Sequence, residues 1–305
     1  MYRSILVPLD GSAFSEHALP MARLLAQRSG ATLRLVHVQT RSLADKDFTA
    51  LSDDHELTYL DQLKERLAAN SSVPLAMTTE VLERSLFQMV QESLGKFLAS
   101  HIATTTPDLV VMTTNGRGGL ARAWLGSVAD ALVRQSNAPI LLLRPSEGSP
   151  DFTQSPSLQQ MLIPLDGSPL AEQILASALA LGDTLGTDFT LLRIVEPLFP
   201  IYNYLARTKE LDEAEILAAR RYLEEVTKRL ADAKRQIHTR VVLAPTLAQA
   251  ILEDVQRHPS DLIALATHGF SGLQRMMIGS VADKVLRGSD VPVLIYRPQE
   301  VTAES

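Results

Sequence analysis

Ile5–Ser12 reads ILVPLDGS, and Met161–Ser168 reads MLIPLDGS. Six of these eight positions are identical at an offset of 156 residues. A longer pair, Asn115–Pro145 and His268–Pro298, shares fifteen of thirty-one positions at an offset of 153. A repeat of about 150 residues is too long for a solenoid unit and has the size of one whole domain. The chain is therefore predicted to be two copies of one domain joined head to tail.

Each copy alternates short apolar runs with longer amphipathic stretches. The predicted strands are Ser4–Pro8, Thr32–Val38, Leu75–Val81, Leu109–Thr113 and Ile140–Arg144, then Gln160–Pro164, Phe189–Val195, His238–Leu243, Leu262–Ala266 and Val293–Arg297. The predicted helices include Phe14–Ser29, Leu86–His101 and Lys209–Lys234. This alternation predicts an α/β fold with two tandem doubly wound domains, each a five-stranded parallel sheet with helices on both faces. We expect domains at 1–146 and 159–305, joined by a Ser- and Pro-rich linker at 147–158.

Composition narrows the class of protein. The chain has 305 residues, is 46% hydrophobic and 21% charged, and has a formal net charge of −6. That mild acidity argues against a general binder of nucleic acid or of anionic membranes. The absence of cysteine excludes disulfides, thiolate metal sites and cysteine nucleophiles, and suits a reducing compartment. No uncharged apolar run reaches the ~18–20 residues that a membrane span needs, so we expect a soluble cytoplasmic protein with no membrane partner.

The repeated motifs follow predicted strands. Asp10-Gly11-Ser12 and Asp166-Gly167-Ser168 follow the first strand of each copy, while Asn115-Gly116 and His268-Gly269 follow the fourth. Ligands of open parallel sheets bind beyond the carboxyl ends of the strands, where the strand order reverses. With a strand order of 3-2-1-4-5, both motifs of a copy would face one crevice. Asp-Gly-Ser is also an ordinary turn whose serine caps the next helix, and that alternative stays open.

A second spacing is shared by both copies. Nine residues separate Gly116 from Gly126-Ser127, and nine separate Gly269 from Gly279-Ser280. Each Gly-Ser pair precedes a helical Val-Ala-Asp run, so the serine is predicted to cap that helix. Main-chain amides and the helix dipole at such a start attract anions, which predicts a phosphate site. The alternative is that these glycines only form turns and the serines only cap.

As a set, these motifs resemble the universal stress protein family, and specifically its tandem-domain members. Nucleotide-binding members carry Gly-x-x-Gly, nine residues, then Gly-Ser or Gly-Thr. This chain matches that pattern twice, except that Thr113 and Ala266 stand at the first glycine. The resemblance implies strand order 3-2-1-4-5 and a site for ATP or another adenine nucleotide, with or without Mg²⁺. Dimerisation through strand five is also implied, at Ile140–Arg144 and Val293–Arg297, either between the two halves or between two chains.

The same resemblance assigns the site residues. The implied second site comprises Pro164, Asp166, Gly167, Ser168, Ile194, Ala266, His268, Gly269, Gly279, Ser280 and Val281. The implied first site comprises Pro8, Asp10, Gly11, Ser12, Val38, Thr113, Asn115, Gly116, Gly126, Ser127 and Val128. The aspartates would contact the nucleoside, the backbone of Val38 or Ile194 would read the adenine edge, and the Gly-Ser loops would hold phosphates. Because Thr113 is β-branched and Asn115 replaces a histidine, the second site is the favoured one.

Three functions follow as hypotheses. The first is a nucleotide-binding regulatory protein of the stress response that is not a catalyst. The second is a slow ATPase or nucleotide hydrolase using the same crevice, although no general base is evident. The third is a scaffold or chaperone-like protein that binds no nucleotide and has a degenerate first site. None of the seven histidines lies at a metal-ligand spacing, so neither a metal site nor a catalytic residue is predicted.

Overall fold

The computed structural model describes residues 1–39, 53–71, 73–114, 125–146, 148–153, 156–197, 205–230, 235–268 and 278–299. By its internal contacts the chain divides into two compact units, Met1–Ser157 and Leu158–Ser305. Phe152, in the stretch predicted to be the linker, is buried against the first unit, where the Arg66 guanidinium lies 4.4 Å from its ring centroid. That part of the predicted linker therefore packs as a piece of the first unit.

The described elements of the two units follow the same order, except that two helices, α4 and α5, precede the fourth strand of the first unit where the second unit has α10 alone. The first unit contains β1 (Ser4–Leu9), α1 (Ala13–Glu16), α2 (Leu19–Ser29), β2 (Thr32–Gln39), α3 (Asp53–Ala69), β3 (Met77–Glu83), α4 (Leu86–Gln91), α5 (Leu94–Thr105), β4 (Leu109–Thr113), α6 (Ser127–Gln135) and β5 (Ile140–Leu143). The second contains β6 (Gln160–Pro164), α7 (Pro169–Glu172), α8 (Ile174–Leu185), β7 (Asp188–Val195), α9 (Leu205–Arg229), β8 (Ile237–Leu243), α10 (Leu247–Arg257), β9 (Leu262–Ala266), α11 (Ser280–Gly288) and β10 (Val293–Tyr296).

All strand pairs within a unit are parallel. The order in the first unit is β3-β2-β1-β4-β5, with Ser4 opposite Thr32 and Ile5 opposite Leu109. The order in the second unit is β8-β7-β6-β9-β10, with Gln160 opposite Asp188. Both are the 3-2-1-4-5 order implied by the family resemblance, and the prediction of a doubly wound α/β fold is confirmed. The first and fourth strands are neighbours in each unit, so the crevice of each sheet lies at their carboxyl ends.

The burial of the strands explains why they are continuous apolar runs in the sequence. β4 is buried at every position, and β1 and β6 expose little more than their ends. Helices cover both faces of these strands, so the runs are continuously apolar rather than alternating. β3 and β8 lie at the outer end of each order and are only partly buried. The strands whose carboxyl ends border each crevice are therefore firmly packed in the core of their unit.

Several predicted elements were wrong in extent, among them the helix predicted at Lys209–Lys234, which is described as α9, Leu205–Arg229. The single helix predicted at Phe14–Ser29 is two helices, and Pro20 lies in the first turn of the second, where its missing amide hydrogen costs no helical bond. The helix predicted at Leu86–His101 is likewise broken, because the Ser93 hydroxyl caps α5 by accepting from the Lys96 amide at 3.3 Å. The third strand lies two residues later than predicted, since its pairing with β2 continues to Glu83.

Candidate functional site

The turn after the first strand of the second unit is built around one carboxylate. Asp166 Oδ1 accepts hydrogen bonds from the Ser168 amide at 2.9 Å and from the Ser168 hydroxyl at 2.6 Å. Ser168 Oγ accepts from the Ala171 amide at 3.1 Å and so caps α7. Gly167 lies between them with a φ of +86°, a left-handed conformation that favours glycine. Asp-Gly-Ser therefore folds as a capping turn.

The first unit repeats this turn. Asp10 Oδ1 accepts from the Ser12 amide at 3.0 Å and from its hydroxyl at 2.5 Å. Ser12 Oγ accepts from the Ser15 amide at 3.2 Å and caps α1, while Gly11 has a φ of +80°. The turn interpretation of the motif is correct in both units. It leaves the aspartates at the carboxyl ends of the first strands, where a ligand role was also predicted.

The helix after the fourth strand of the second unit begins very close to that strand's end. Gly279 donates its amide to the Thr267 carbonyl at 2.8 Å, and a Cβ on Gly279 would lie 2.8 Å from the same oxygen. The first helical bond of α11 joins the Asp283 amide to the Gly279 carbonyl at 2.9 Å. The amides of residues 280–282 are left as the open donors of the helix start, and no described side chain caps them.

The first unit has the same helix start. Gly126 donates its amide to the Thr114 carbonyl at 2.7 Å, and Asp130 donates to the Gly126 carbonyl at 2.9 Å. The prediction that a Gly-Ser step opens a helix is confirmed, but the predicted cap is wrong. Glycine occupies the cap position, and Ser127 or Ser280 is the first helical residue. Because the glycine amide bonds to the strand end, the donors that remain belong to the three residues that follow it.

The second strand of the second unit, β7, extends past the end of β6. On the β6 side the Leu192 carbonyl accepts from the Leu165 amide at 2.8 Å. On the other side the Val195 carbonyl accepts from the Ala244 amide at 3.0 Å. Main-chain groups of successive residues in a strand point to opposite edges. Ile194 therefore directs its N–H and C=O towards the β6 side, beyond the point where β6 has ended.

These features of the second unit meet at one cavity of about 790 Å³. Pockets for small ligands usually enclose about 300–1,000 Å³, so the volume suits a nucleotide-sized molecule. Nine of the eleven residues predicted for the second site line it: Pro164, Asp166, Gly167, Ile194, Ala266, His268, Gly279, Ser280 and Val281. Ser168 is instead buried in the helix cap, at 3% exposure, and Gly269 lies outside the described residues.

The residues predicted for the first site take the equivalent places in the first unit. Pro8 and the Asp-Gly-Ser turn lie at the end of β1, Val38 lies on β2, Thr113 ends β4, and Gly126 precedes Ser127 and Val128 at the start of α6. Asn115 and Gly116 lie outside the described residues. Because β2, β1 and β4 are consecutive in the sheet, their carboxyl ends lie at one edge. Thr113 is 6% exposed, so its side chain is packed into that edge.

Two helices that wall the second-unit cavity were not predicted from the sequence to belong to the site. Glu215, Ala218, Ala219 and Tyr222 of α9 and Leu247 and Ile251 of α10 all line it. One pattern could have drawn attention to α9, since residues 59–66 read YLDQLKER and residues 222–229 read YLEEVTKR. These octapeptides align at an offset of 163, whereas the other motifs align at 153 and 156.

Charge in the cavity is mixed. Asp166, Glu196 and Glu215 line it together with Arg193, and His268 Nδ1 lies 2.8 Å from Thr267 Oγ1. The open amides of the helix start add partial positive charge at the β9 side. One end of the cavity therefore favours an anion, and the other offers hydrogen-bond acceptors.

Two tyrosines beside the crevices have altered acidity. Burial raises the pKa of Tyr222, and the neighbouring Glu172 carboxylate and the charge of Asp166 raise it further. Burial also raises the pKa of Tyr59, with Glu16 and then Asp10 adding to the effect. Both phenols are therefore neutral at physiological pH and lie near the carboxylate of the first-strand turn.

Neither a metal-binding cluster nor a membrane-spanning helix is found among the described residues. No group of three or more His, Asp or Glu side chains in the described ranges is arranged to hold a metal ion. Among the helices that the structure describes, none is long and apolar enough to cross a membrane.

Two doubly wound α/β units, each with a capping turn and a glycine-led helix start at the switch point, define the class of protein. The Universal stress protein family model matches residues 1–144 and again residues 158–297. The chain therefore belongs to the universal stress protein family, as a member with two family domains.

Relatives of the same length share this organisation. A universal stress protein of Mycolicibacterium smegmatis is 25% identical over 304 residues, with 97% of each chain covered. A universal stress protein of Mycobacterium tuberculosis H37Rv is 28% identical over 318 residues, covering 97% of this chain and 96% of the relative. The match runs through both units in each case.

Solved structures show the same fold. A protein of Pseudomonas aeruginosa PAO1 matches with a TM-score of 0.68 and 18% identity, covering 97% of this chain and 93% of the other. A universal stress protein from Archaeoglobus fulgidus matches with a TM-score of 0.56 and 16% identity, covering 97% and 96%. At these identities the likeness concerns the fold.

Proposed function

We propose that the second unit binds ATP or a related adenine nucleotide, and that the protein is a non-catalytic regulator of the stress response. The observation that carries this proposal is the cavity of about 790 Å³ between the ends of β6 and β9. An uncapped helix start lies at one end of that cavity, and free main-chain positions of β7 lie at the other. Such a combination of an anion site and a polar edge suits a molecule with phosphates and a base.

The β7 end is proposed to hold the base. The main-chain N–H and C=O of Ile194 point past the end of β6, where they can pair with the edge of an adenine. Leu192, Val195, Leu247 and Ile251 supply apolar surface for its faces. Asp166 lies at the end of β6, between this region and α11, and its carboxylate can accept hydrogen bonds from ribose hydroxyls.

The β9 end is proposed to hold the phosphates. Three successive amides at residues 280–282 are the open donors of α11, and Ser280 adds a hydroxyl. Such a start binds anions through its N–H groups and its dipole. The acidic residues of the cavity oppose a highly charged ligand, so a bound Mg²⁺ that lowers the charge of ATP would fit the site.

The first unit is proposed to bind the same ligand more weakly. Its turn and its helix start have the second unit's geometry, but buried Thr113 stands where Ala266 lines the second cavity. A β-branched side chain at this strand end takes up space that a ribose or phosphate would need.

Dimerisation through the edges of β5 or β10 stays a prediction. Sedimentation velocity of the full chain can test it.

Nucleotide content is the direct test. The full chain, purified without added nucleotide, is denatured and its small molecules are identified by mass spectrometry, and ATP binding is then measured by calorimetry. We expect adenine nucleotide in the extract, or a Kd in the micromolar range that weakens when Gly279 is replaced. Neither co-purified nucleotide nor heat of ATP binding would overturn the proposal. Phosphate release above background would instead support the ATPase alternative.

A further inference from the structure

Beside each crevice lies the same cluster of a glutamate, a tyrosine and an arginine, here called the Glu–Tyr–Arg cluster. In the second unit Arg229 Nη2 lies 2.7 Å from Glu172 Oε2. The Tyr222 phenol lies close to the same carboxylate, and its buried hydroxyl has no hydrogen-bond partner among the described residues. In the first unit Arg66 Nη1 lies 3.2 Å from Glu16 Oε2. Tyr59 donates its hydroxyl hydrogen to Glu16 Oε1 at 3.2 Å.

The two copies of the helix that carries this cluster share few residues, and the tyrosine and the arginine are among them. Residues 53–69 and 216–232 align at the offset of 163 with five identities in seventeen positions. Three of the five are leucine or alanine, and two of those are buried leucines that the core requires in α3. The only polar identities are the tyrosine and the arginine, which are the two residues that meet the glutamate. Helix packing does not need either of these polar groups, so their pairing with the glutamate is the shared feature.

The cluster ties two elements of the crevice together. Glu172 ends α7, the short helix that follows the Asp166 turn, whereas Tyr222 and Arg229 lie two turns apart on α9. Tyr222 is the only phenylalanine, tyrosine or tryptophan among the described residues that line the cavity. In the first unit the Tyr59 ring packs edge-on against His37, the residue before Val38, with ring centroids 6.1 Å apart. Tyr59 therefore lies near the end proposed to hold the base, and α9, which carries Tyr222, packs against β7 and β8 at the corresponding side of the second crevice.

We propose that Glu172 and Arg229 are positioning residues that hold Tyr222 as the specificity-determining wall of the nucleoside pocket. This inference rests on the proposed function and assigns the cluster to the nucleoside, not to the phosphates. The Glu172–Arg229 pair lies beside the phenol and limits the movement of its ring, and Arg229 balances the charge of Glu172. Without Arg229, the Glu172 carboxylate would lose its ion-pair partner while lying near the charge of Asp166. The fixed ring then contacts the base or sugar of the ligand.

The test compares three probes on the full chain: ATP, adenosine and inorganic tripolyphosphate. Tyr222→Leu keeps an apolar side chain but removes the ring and hydroxyl, and we expect about tenfold weaker binding of ATP and of adenosine. Glu172→Gln and Arg229→Met should weaken both about three- to fivefold, since this pair is partly exposed to solvent. Binding of tripolyphosphate should stay unchanged in all three variants.

Two further variants separate positioning from general stability. Arg229→Lys keeps the charge and should restore most of the affinity that Arg229→Met loses. Arg257→Met removes a pair of the same kind, since Arg257 Nη2 lies 2.8 Å from Glu253 Oε2 on the exposed side of α10, and it should change none of the three affinities. Arg257 is therefore the matched control for loss of an arginine in this unit.

The outcomes separate this inference from the proposed function. Equal losses for tripolyphosphate and adenosine would show a general structural defect and overturn the inference. Unchanged ATP affinity in Tyr222→Leu and Glu172→Gln would also overturn it while leaving nucleotide binding intact. A wild-type chain that binds none of the adenine probes would overturn the proposed function itself.

Discussion

The two units have the same turn and the same helix start at the crevice, and they differ in the side chains that face it. The Asp-Gly-Ser turns share three hydrogen bonds, from the serine amide and hydroxyl to the aspartate and from the helix amide to the serine hydroxyl, and the first unit adds two through the Ser15 hydroxyl, where the second has Ala171. Both glycine-led helix starts bond to the end of the fourth strand. At the strand ends, however, Thr113 replaces Ala266, and buried His37 stands where Arg193 lines the second cavity. The retained motif thus reports a folding requirement common to both units. Under the proposed function, the divergent positions are the ones expected to set ligand affinity.

The largest expected effect comes from Gly279→Val. A Cβ here would lie 2.8 Å from the Thr267 carbonyl oxygen, so the start of α11 must move away from the strand. Overpacking of this kind costs about 1–3 kcal/mol, and a loss of that size would weaken ATP binding about five- to hundredfold by calorimetry. Gly126→Val makes the same change in the first unit and should leave the tighter of the two sites intact. Wild-type affinity in Gly279→Val would contradict a phosphate role for this helix start.

Exchanging the strand-four residues should make the two sites more alike. Ala266→Thr adds branched bulk to the wall of the second cavity, and we expect ATP binding there to weaken about fivefold. Thr113→Ala should strengthen binding at the first site, which calorimetry would register as a higher stoichiometry at a fixed ATP concentration. Ala266→Ser is the control, because it adds a hydroxyl without branching. Equal affinities for Ala266→Thr and wild type would remove the proposed reason for the difference between the units.

The turn serines should behave identically in both units. Ser12→Ala and Ser168→Ala each remove a helix cap, and we expect each to lower the free energy of unfolding of its unit by about 1 kcal/mol in urea titrations. Ser280→Ala is the counterpart, since Ser280 is exposed at the first helical position and caps nothing among the described residues. It should weaken ATP binding a fewfold and leave unfolding nearly unchanged. A large difference between Ser12→Ala and Ser168→Ala would show that the two turns are not equivalent.

The fold could be predicted from the sequence because the signal for each strand is strong and is contained in a short stretch of chain. Continuous apolar runs such as Leu109–Thr113 mark strands buried on both faces, and the repeat doubled every such observation. The errors fell where one residue outweighs a pattern. Pro20 and Ser93 end or start helices inside stretches whose apolar period looks uninterrupted. The spacing of apolar residues contains no signal for a helix cap or for the amide hydrogen that proline lacks.

The candidate site was predicted unevenly for a related reason. Residues that follow strands, such as Asp166 and Gly279, are predictable because parallel strands bring their carboxyl ends together. Tyr222 and Leu247 come from helices that lie over the crevice, and their approach depends on tertiary packing. The Glu–Tyr–Arg cluster joins α7 to α9 across 57 residues of chain, so neither half of it indicates the other. The repeat at an offset of 163 marks only the α9 half, Tyr222 and Arg229, and it is short.

The smallest expected effect concerns pH and again separates the units. In the first unit His101 Nε2 lies 3.5 Å from Glu80 Oε2, which also meets Arg34 at 3.3 Å. Burial lowers the pKa of His101 although Glu80 opposes this, and Arg34 lowers it further. The second unit places half-exposed His258 3.3 Å from Asp254 Oδ1 instead. The first unit thus buries an imidazole that folding keeps neutral.

A lowered folded-state pKa fixes the sign of the effect. The unfolded chain protonates His101 near the ordinary value of about 6.5, whereas the folded unit resists that proton to lower pH. The contribution of neutral His101 to the free energy of unfolding is therefore complete above about pH 6.5 and falls as the pH decreases. His101→Gln should flatten the decline in the unfolding free energy of the first unit between pH 7.5 and 5.5, measured by urea titration. His258→Gln should leave that slope as it is, and an unchanged slope in His101→Gln would show that the decline arises from other groups.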